Sequence, residues 1–266
     1  MSTKVNLLKN IIPSFQNKDE FFEGILTEST PWKKIMISLF LLCLFSFIYG
    51  VVMGAYHSLL QALTTGLKLT FLFSVVLIIC FPAFFIVQFL LGSKLTLGQM
   101  ISMVLSGFVL CTAIMISFAP ISLFFLITGS NYYFLQLLHI IIFLISGFFA
   151  MNIVVEGLKY SCEKKNIYPK TGVIIFRFWI VIFAFVFIQL AWNLRPFLGD
   201  RGQPFQLFRK YEGNFYSAVI YSVQQLMGKP PTQTETINNQ GNSSQPRIDQ
   251  NQYRIQPLHQ GDTLGN

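Results

Sequence analysis

Charge is what this sequence lacks most. Of its 266 residues, 11% are Asp, Glu, Lys or Arg, where a soluble domain carries about a quarter. The shortage is local. Residues 35–193 hold nine charges, six of them between Glu156 and Lys170, and no acidic residue occurs between Glu28 and Glu156. With 53% hydrophobic residues and a mean hydropathy of +0.56, a soluble globule is excluded. So is most chemistry that depends on paired carboxylates. Cysteine is scarce too: Cys43, Cys80, Cys111 and Cys162 include no CxxC pair, and three of them lie in apolar runs. They read as small apolar fillers and one free thiol, not as a disulfide framework or a metal site. The chain also has no phosphate-cradling glycine loop, no HExxH and no GxSxG. No catalytic residue, cofactor or metal ligand is therefore expected, and the chain is not expected to be an enzyme.

What the sequence has in abundance is long apolar runs. Crossing about 30 Å of hydrocarbon takes about 20 helical residues. Five runs meet that length: 35–56, 69–91, 100–128, 133–155 and 173–194. The fold class that follows is all-α, a polytopic membrane bundle of five transmembrane helices with interfacial amphipathic helices beside it. Pro82 and Pro120 fall inside the second and third runs and are expected to kink or tilt them. No cleavable signal peptide is expected, because Lys9 and Asn10 interrupt the only early apolar run. The chain divides into an N-terminal segment (1–34), the five-span domain (35–194), an aromatic and basic collar with an amphipathic helix (195–228), and a polar tail (229–266). The tail is rich in Gln, Asn, Pro, Ser and Thr without an apolar period, a composition that stays disordered.

Three shorter stretches repeat apolar residues at helical spacing. Phe21, Phe22, Ile25 and Leu26 oppose Asp19, Glu20 and Glu23. Leu59, Leu60, Leu63 and Leu67 oppose His57, Gln61, Thr64 and Lys68. Phe215, Val219, Val223, Leu226 and Met227 form a third stripe, with Asn214 placed to cap it. Each is expected to lie in the headgroup plane. An odd number of spans puts the termini on opposite sides. Lys18, Lys33, Lys34, Lys94, Lys159, Lys164, Lys165 and Lys170 fall on the N-terminal side, against Lys68, Arg195, Arg201, Arg209 and Lys210 on the other. Cations favour the cytoplasmic face, so a multi-pass protein of the cell membrane is expected, with its N-terminus cytoplasmic and its C-terminus external. The net charge of +8 accordingly reads as topology and lipid contact, not as nucleic-acid binding.

Ionisable and polar groups inside a span are functional candidates by default. The fourth run carries Gln136, His139, Asn152 and Glu156, which read as a polar track for a proton or small solute, or as interhelical hydrogen bonds. Glu156 closes the fourth run and Arg177 opens the fifth, so an ion pair between them is expected. Gly50-x-x-x-Gly54 and Ser102-x-x-x-Ser106 allow close helix packing. Outside the fifth run, Arg195, Asp200, Arg201, Arg209, Lys210 and Glu212 lie among aromatics and prolines. They form either a collar that ends the bundle or a docking surface for anionic lipid or a protein partner.

Phe81-Pro82, the segment LLGSKLTLGQ ending at Gln99, Ala119-Pro120, and the block AWNLRPFLGD…PFQLFR…EGNFYSA over 191–218 resemble a group of bacterial multi-pass membrane proteins that is similar to the YIP family of five-span proteins. The resemblance implies five spans with the N-terminus inside, and it implies no activity. The expected function is that of a non-enzymatic integral membrane protein that organises the bilayer or binds a membrane or peripheral protein. The competing expectation is a small transporter or channel subunit that uses the polar residues of the fourth run.

Overall fold

The computed structural model describes residues 18–27, 31–129, 131–163, 166, 169–199, 205–208 and 214–227. Eight helices follow one another: α1 (Lys18–Thr27), α2 (Pro31–Gly54), α3 (Leu59–Leu90), α4 (Leu97–Ser117), α5 (Ala119–Ile127), α6 (Tyr132–Glu163), α7 (Lys170–Leu194) and α8 (Phe215–Leu226). Among the described residues there is no strand. Five stretches are long and apolar enough to cross a membrane: Trp32–Gly54, Leu59–Leu90, Leu97–Ile127, Tyr132–Glu163 and Lys170–Leu194. The protein is an all-α bundle of the integral membrane class.

The five spans close into a ring. α2 packs between α3 and α4, α4 against α6, α6 against α7, and α7 back against α3. Phenylalanine fills the middle. Phe73 of α3 meets Phe108 of α4 at 6.2 Å, Phe143 of α6 at 6.4 Å and Phe187 of α7 at 5.3 Å between ring centroids. Tyr49 of α2 meets Phe143 edge-on at 6.1 Å. Every span thus places an aromatic ring on the bundle axis. Such rings prefer the edge-to-face and offset geometries seen here.

Helix ends follow local chemistry. Ser58 caps α3 by accepting from the Gln61 amide at 3.2 Å. Thr96 and Gln99 form a reciprocal capping box at the start of α4, at 3.3 and 3.0 Å. Small residues set the closest helix approach. A Cβ on Gly50 would stand 2.7 Å from the Gly66 Cα, and one on Gly54 would stand 2.6 Å from the Gln61 carbonyl. The Gly50/Gly54 pair therefore seats α2 directly on the backbone of α3 within one chain.

The architecture departs from the sequence reading in three places. The Leu59–Leu67 stripe is not on a separate helix in the headgroup plane but on the first turns of α3, continuous with the second span. Its leucines are exposed on the outer face, while Gln61, Thr65 and Lys68 are buried in the bundle. The α1 helix does not leave its apolar face to the bilayer. Phe21, Phe22 and Ile25 are buried against Leu110, Ile153 and Tyr160, and the Gln99 amide donates to the Leu26 carbonyl at 2.7 Å. The two prolines also differ. Pro82 lies within a continuous helix, whereas the third span divides at Phe118, and Pro120 sits in the first turn of α5, where its missing N–H costs no bond.

Candidate functional site

Where α7 ends, the chain must turn with its carbonyls unpaired. Pro196 has no N–H to offer, and the carbonyls of a buried turn need donors from elsewhere. The buried face of α3 supplies them. Gln61, Thr65 and Lys68 stand four and three residues apart, which puts them on one side of the helix. Gln61 Nε2 donates to the Pro196 and Phe197 carbonyls at 3.1 and 3.3 Å, and Thr65 Oγ1 donates to the Phe197 carbonyl at 2.7 Å. Lys68 Nζ donates to the Pro196 carbonyl at 3.2 Å and to the Leu207 carbonyl. It also sits 5.0 Å from the centroid of the Phe208 ring. Lys68 lies nine residues into α3, about 14 Å along its axis. It is only 7% exposed, so its charge is solvated by backbone carbonyls and a ring face in place of water.

This arrangement ties the collar to the bundle. Leu198 is buried between Tyr56 and Leu135. Gly199 takes a φ of +68°, and a Cβ there would stand 2.8 Å from His57 Cβ, so this turn accepts only glycine. Beside it, the Arg195 guanidinium stacks on the Trp192 ring at 3.5 Å, a cation–π contact that uses the planar face of the group.

Deeper in the ring, Tyr49 Oη and His139 Nδ1 share a hydrogen bond of 2.8 Å. The rings meet edge-on at 5.7 Å. His139 is 3% exposed and Tyr49 is fully buried. Tyr56 is two turns outward of Tyr49, and Leu135 is one turn outward of His139. The Leu198 cluster therefore closes the bundle above this pair, and the phenylalanine layer lies below it.

The polar residues of the fourth run separate. His139 shares the inward face of α6 with Ile142, Ser146, Ala150 and Ile153. Gln136 is half-buried, Asn152 is exposed, and Glu156 is half-buried near the opposite end of the helix. No single face carries all four. Arg177 is exposed on the same side of α7 as Ile174, Phe178 and Val181. The inward stripe of that helix is Val173, Phe176 and Phe183. For the ion pair expected between Glu156 and Arg177, Glu156 stands half-buried on α6 while Arg177 stands on the exposed side of α7. From there its long side chain can reach the headgroups. Of the collar candidates, Arg195 is placed as above, while Asp200, Arg201, Arg209, Lys210 and Glu212 lie outside the described residues, as does the 229–266 tail.

Two features escaped the sequence reading. Lys68 carried a signal, being the only charge between Lys34 and Lys94, which marks an intramembrane cation that must find partners. Tyr49 carried none, since one tyrosine in an apolar run looks like any other until its neighbour is known. Among the described residues, no cluster of three His, Cys, Asp or Glu is placed to hold a metal ion, and the four cysteines are free. Chemically the site is a set of donors matched to backbone carbonyls. No family model matches the chain, and no curated protein or solved structure is significantly similar to it.

Proposed function

We propose that this integral membrane protein is a non-enzymatic organiser of the bilayer or of a membrane partner. The observation that carries the reading is how the inner polar groups are used. His139 is occupied by Tyr49, and Gln61, Thr65 and Lys68 are occupied by the collar. The axis itself is filled with phenylalanine from four spans. A solute path needs polar groups facing a wet cavity, and these four side chains instead face protein partners.

The collar is the surface proposed for contact. Arg195, Arg201, Arg209 and Lys210 would attract anionic headgroups by about 1 kcal/mol each. Replacing Arg201, Arg209 and Lys210 together with Gln is expected to reduce co-purified anionic lipid while leaving membrane abundance unchanged. The organiser reading as a whole is tested by reconstituting the full chain into liposomes under imposed proton and potassium gradients. The expected leak equals that of empty liposomes. A saturable flux that His139→Leu abolishes in a folded protein would establish a transporter instead.

A further inference from the structure

The α8 helix has three flanks. One faces the bundle: Ser222 is buried, Phe215 meets Trp192 at 6.2 Å, and Tyr221 meets Tyr133 at 5.7 Å. At about 100° per residue, a second flank of about 120° collects Tyr216, Val219, Ile220, Val223, Leu226 and Met227. All of these except the half-buried Val219 are exposed. Ser217 and Gln224 occupy the third flank. Residues 214–227 contain no Asp, Glu, Lys, Arg or His. Asn214 starts the helix, its amide donating to Ser217 Oγ at 3.1 Å.

The anchors of α8 set its depth. Trp192 lies in the last turn of α7 and Tyr133 in the first turn of α6, at the same end of two spans. Span-end Trp and Tyr sit where hydrocarbon gives way to headgroups. A helix bound to both lies at that level, with one flank against protein, the exposed apolar flank turned to lipid, and the half-buried Ser217 and Gln224 on the polar flank. Its apolar flank continues the lipid-facing surface of the spans. Without charge on any flank, its insertion depends on apolar area and lipid packing and not on attraction to anionic headgroups.

We infer that α8 is an uncharged wedge seated in the interface of the leaflet on the C-terminal side, enriching the protein where lipid packing is loose. This deepens the bilayer-organising reading and rests on it. Five spans already anchor the chain, so α8 adds a choice of place within the membrane.

The test uses the full chain with its four cysteines replaced by alanine, spin-labelled at Ile220→Cys or Gln224→Cys, in uncharged phosphatidylcholine vesicles. The Ile220 label is expected to collide with oxygen and not with a water-soluble nickel chelate, and the Gln224 label to do the reverse. Nickel access at Ile220 would overturn the wedge. Protection from both reagents would overturn it in favour of a covering second copy or partner. Fluorescent full-length protein should then show several-fold higher surface density in small than in large vesicles of one lipid mixture. Adding phosphatidylglycerol should leave that ratio unchanged. The double variant Ile220→Gln/Val223→Gln should lose most of the enrichment with unaltered Tm. Equal density of the unaltered protein across sizes, enrichment that requires phosphatidylglycerol, or undiminished enrichment in the double variant would each overturn the inference. None of these outcomes bears on the flux result that would overturn the organiser reading.

Discussion

At the scale of single residues, the chain spends Gln61, Thr65 and Lys68 on backbone carbonyls and pairs Tyr49 with His139. Lys68 shows why this matters. Replacing it with Met keeps the stem but leaves the Leu207 carbonyl without its donor and the Pro196 carbonyl with Gln61 alone. An unmet buried acceptor costs about 1–3 kcal/mol, so Lys68→Met should destabilise the chain by that order in detergent unfolding. Tryptic cleavage within residues 195–208 should also become faster as the collar loosens. An unchanged cleavage rate would show that Leu198 packing and the Gln61 and Thr65 bonds hold the collar without Lys68. The Tyr49–His139 bond predicts a different pattern. Tyr49→Phe or His139→Leu alone strands one buried partner, whereas the two together remove both. Interhelical bonds in membranes couple by about 0.6 kcal/mol on average and up to about 1.7. A double-mutant cycle should therefore show the double variant costing less than the sum of the singles by about 0.5–1.5 kcal/mol. Strict additivity would mean the bond contributes nothing to folding.

At the scale of elements, apolar run length was enough to find all five spans, because hydrocarbon thickness sets it directly. Periodicity alone could not say how a helix is oriented. The stripe at Leu59, Leu60, Leu63 and Leu67 has the same spacing whether its polar side faces water or a neighbouring helix. Only the carbonyls of Pro196 and Phe197, more than a hundred residues away, decide that Gln61, Thr65 and Lys68 turn inward. Arg177 shows the same limit, since its neighbours in sequence do not reveal which face of α7 the phenylalanines claim. Small residues were legible as packing positions, and the structure makes them unequal. Gly50→Ala would drive a methyl group to 2.7 Å from the Gly66 backbone, and such overpacking costs about 1–3 kcal/mol. Gly147 has nothing within 4 Å of an added Cβ, so Gly147→Ala should gain up to about 1 kcal/mol from helix propensity. Thermal unfolding of the two variants should move in opposite directions. Equal shifts would mean that α2 and α3 are not in backbone contact.

For the whole molecule, the bundle's two ends differ in kind, and this bears on orientation. One end gathers α1, the start of α4, the end of α6 and the start of α7. Gln99 bonds α1 to α4, and Phe22 meets Tyr160 at 5.8 Å. Lys33, Lys94, Lys159 and Lys170 are exposed there. The other end holds the described part of the collar and α8, together with Lys68 and Arg195. Lys68 is buried on carbonyls and Arg195 is stacked on Trp192. The positive-inside bias counts cations in short loops near span ends, a tally that Lys68, nine residues inside α3, does not join. Reporter fusions after Asn131 and after Lys229 should therefore both report the external side, and a fusion after Lys94 the cytoplasmic side. Replacing Lys159, Lys164, Lys165 and Lys170 together with Gln should produce a mixed orientation, because it removes every lysine between Glu156 and Arg177. Lys68→Gln should leave orientation unchanged although it deletes a cation from the opposite side. An external signal after Lys94 would invert the whole assignment, and with it the leaflet in which α8 lies.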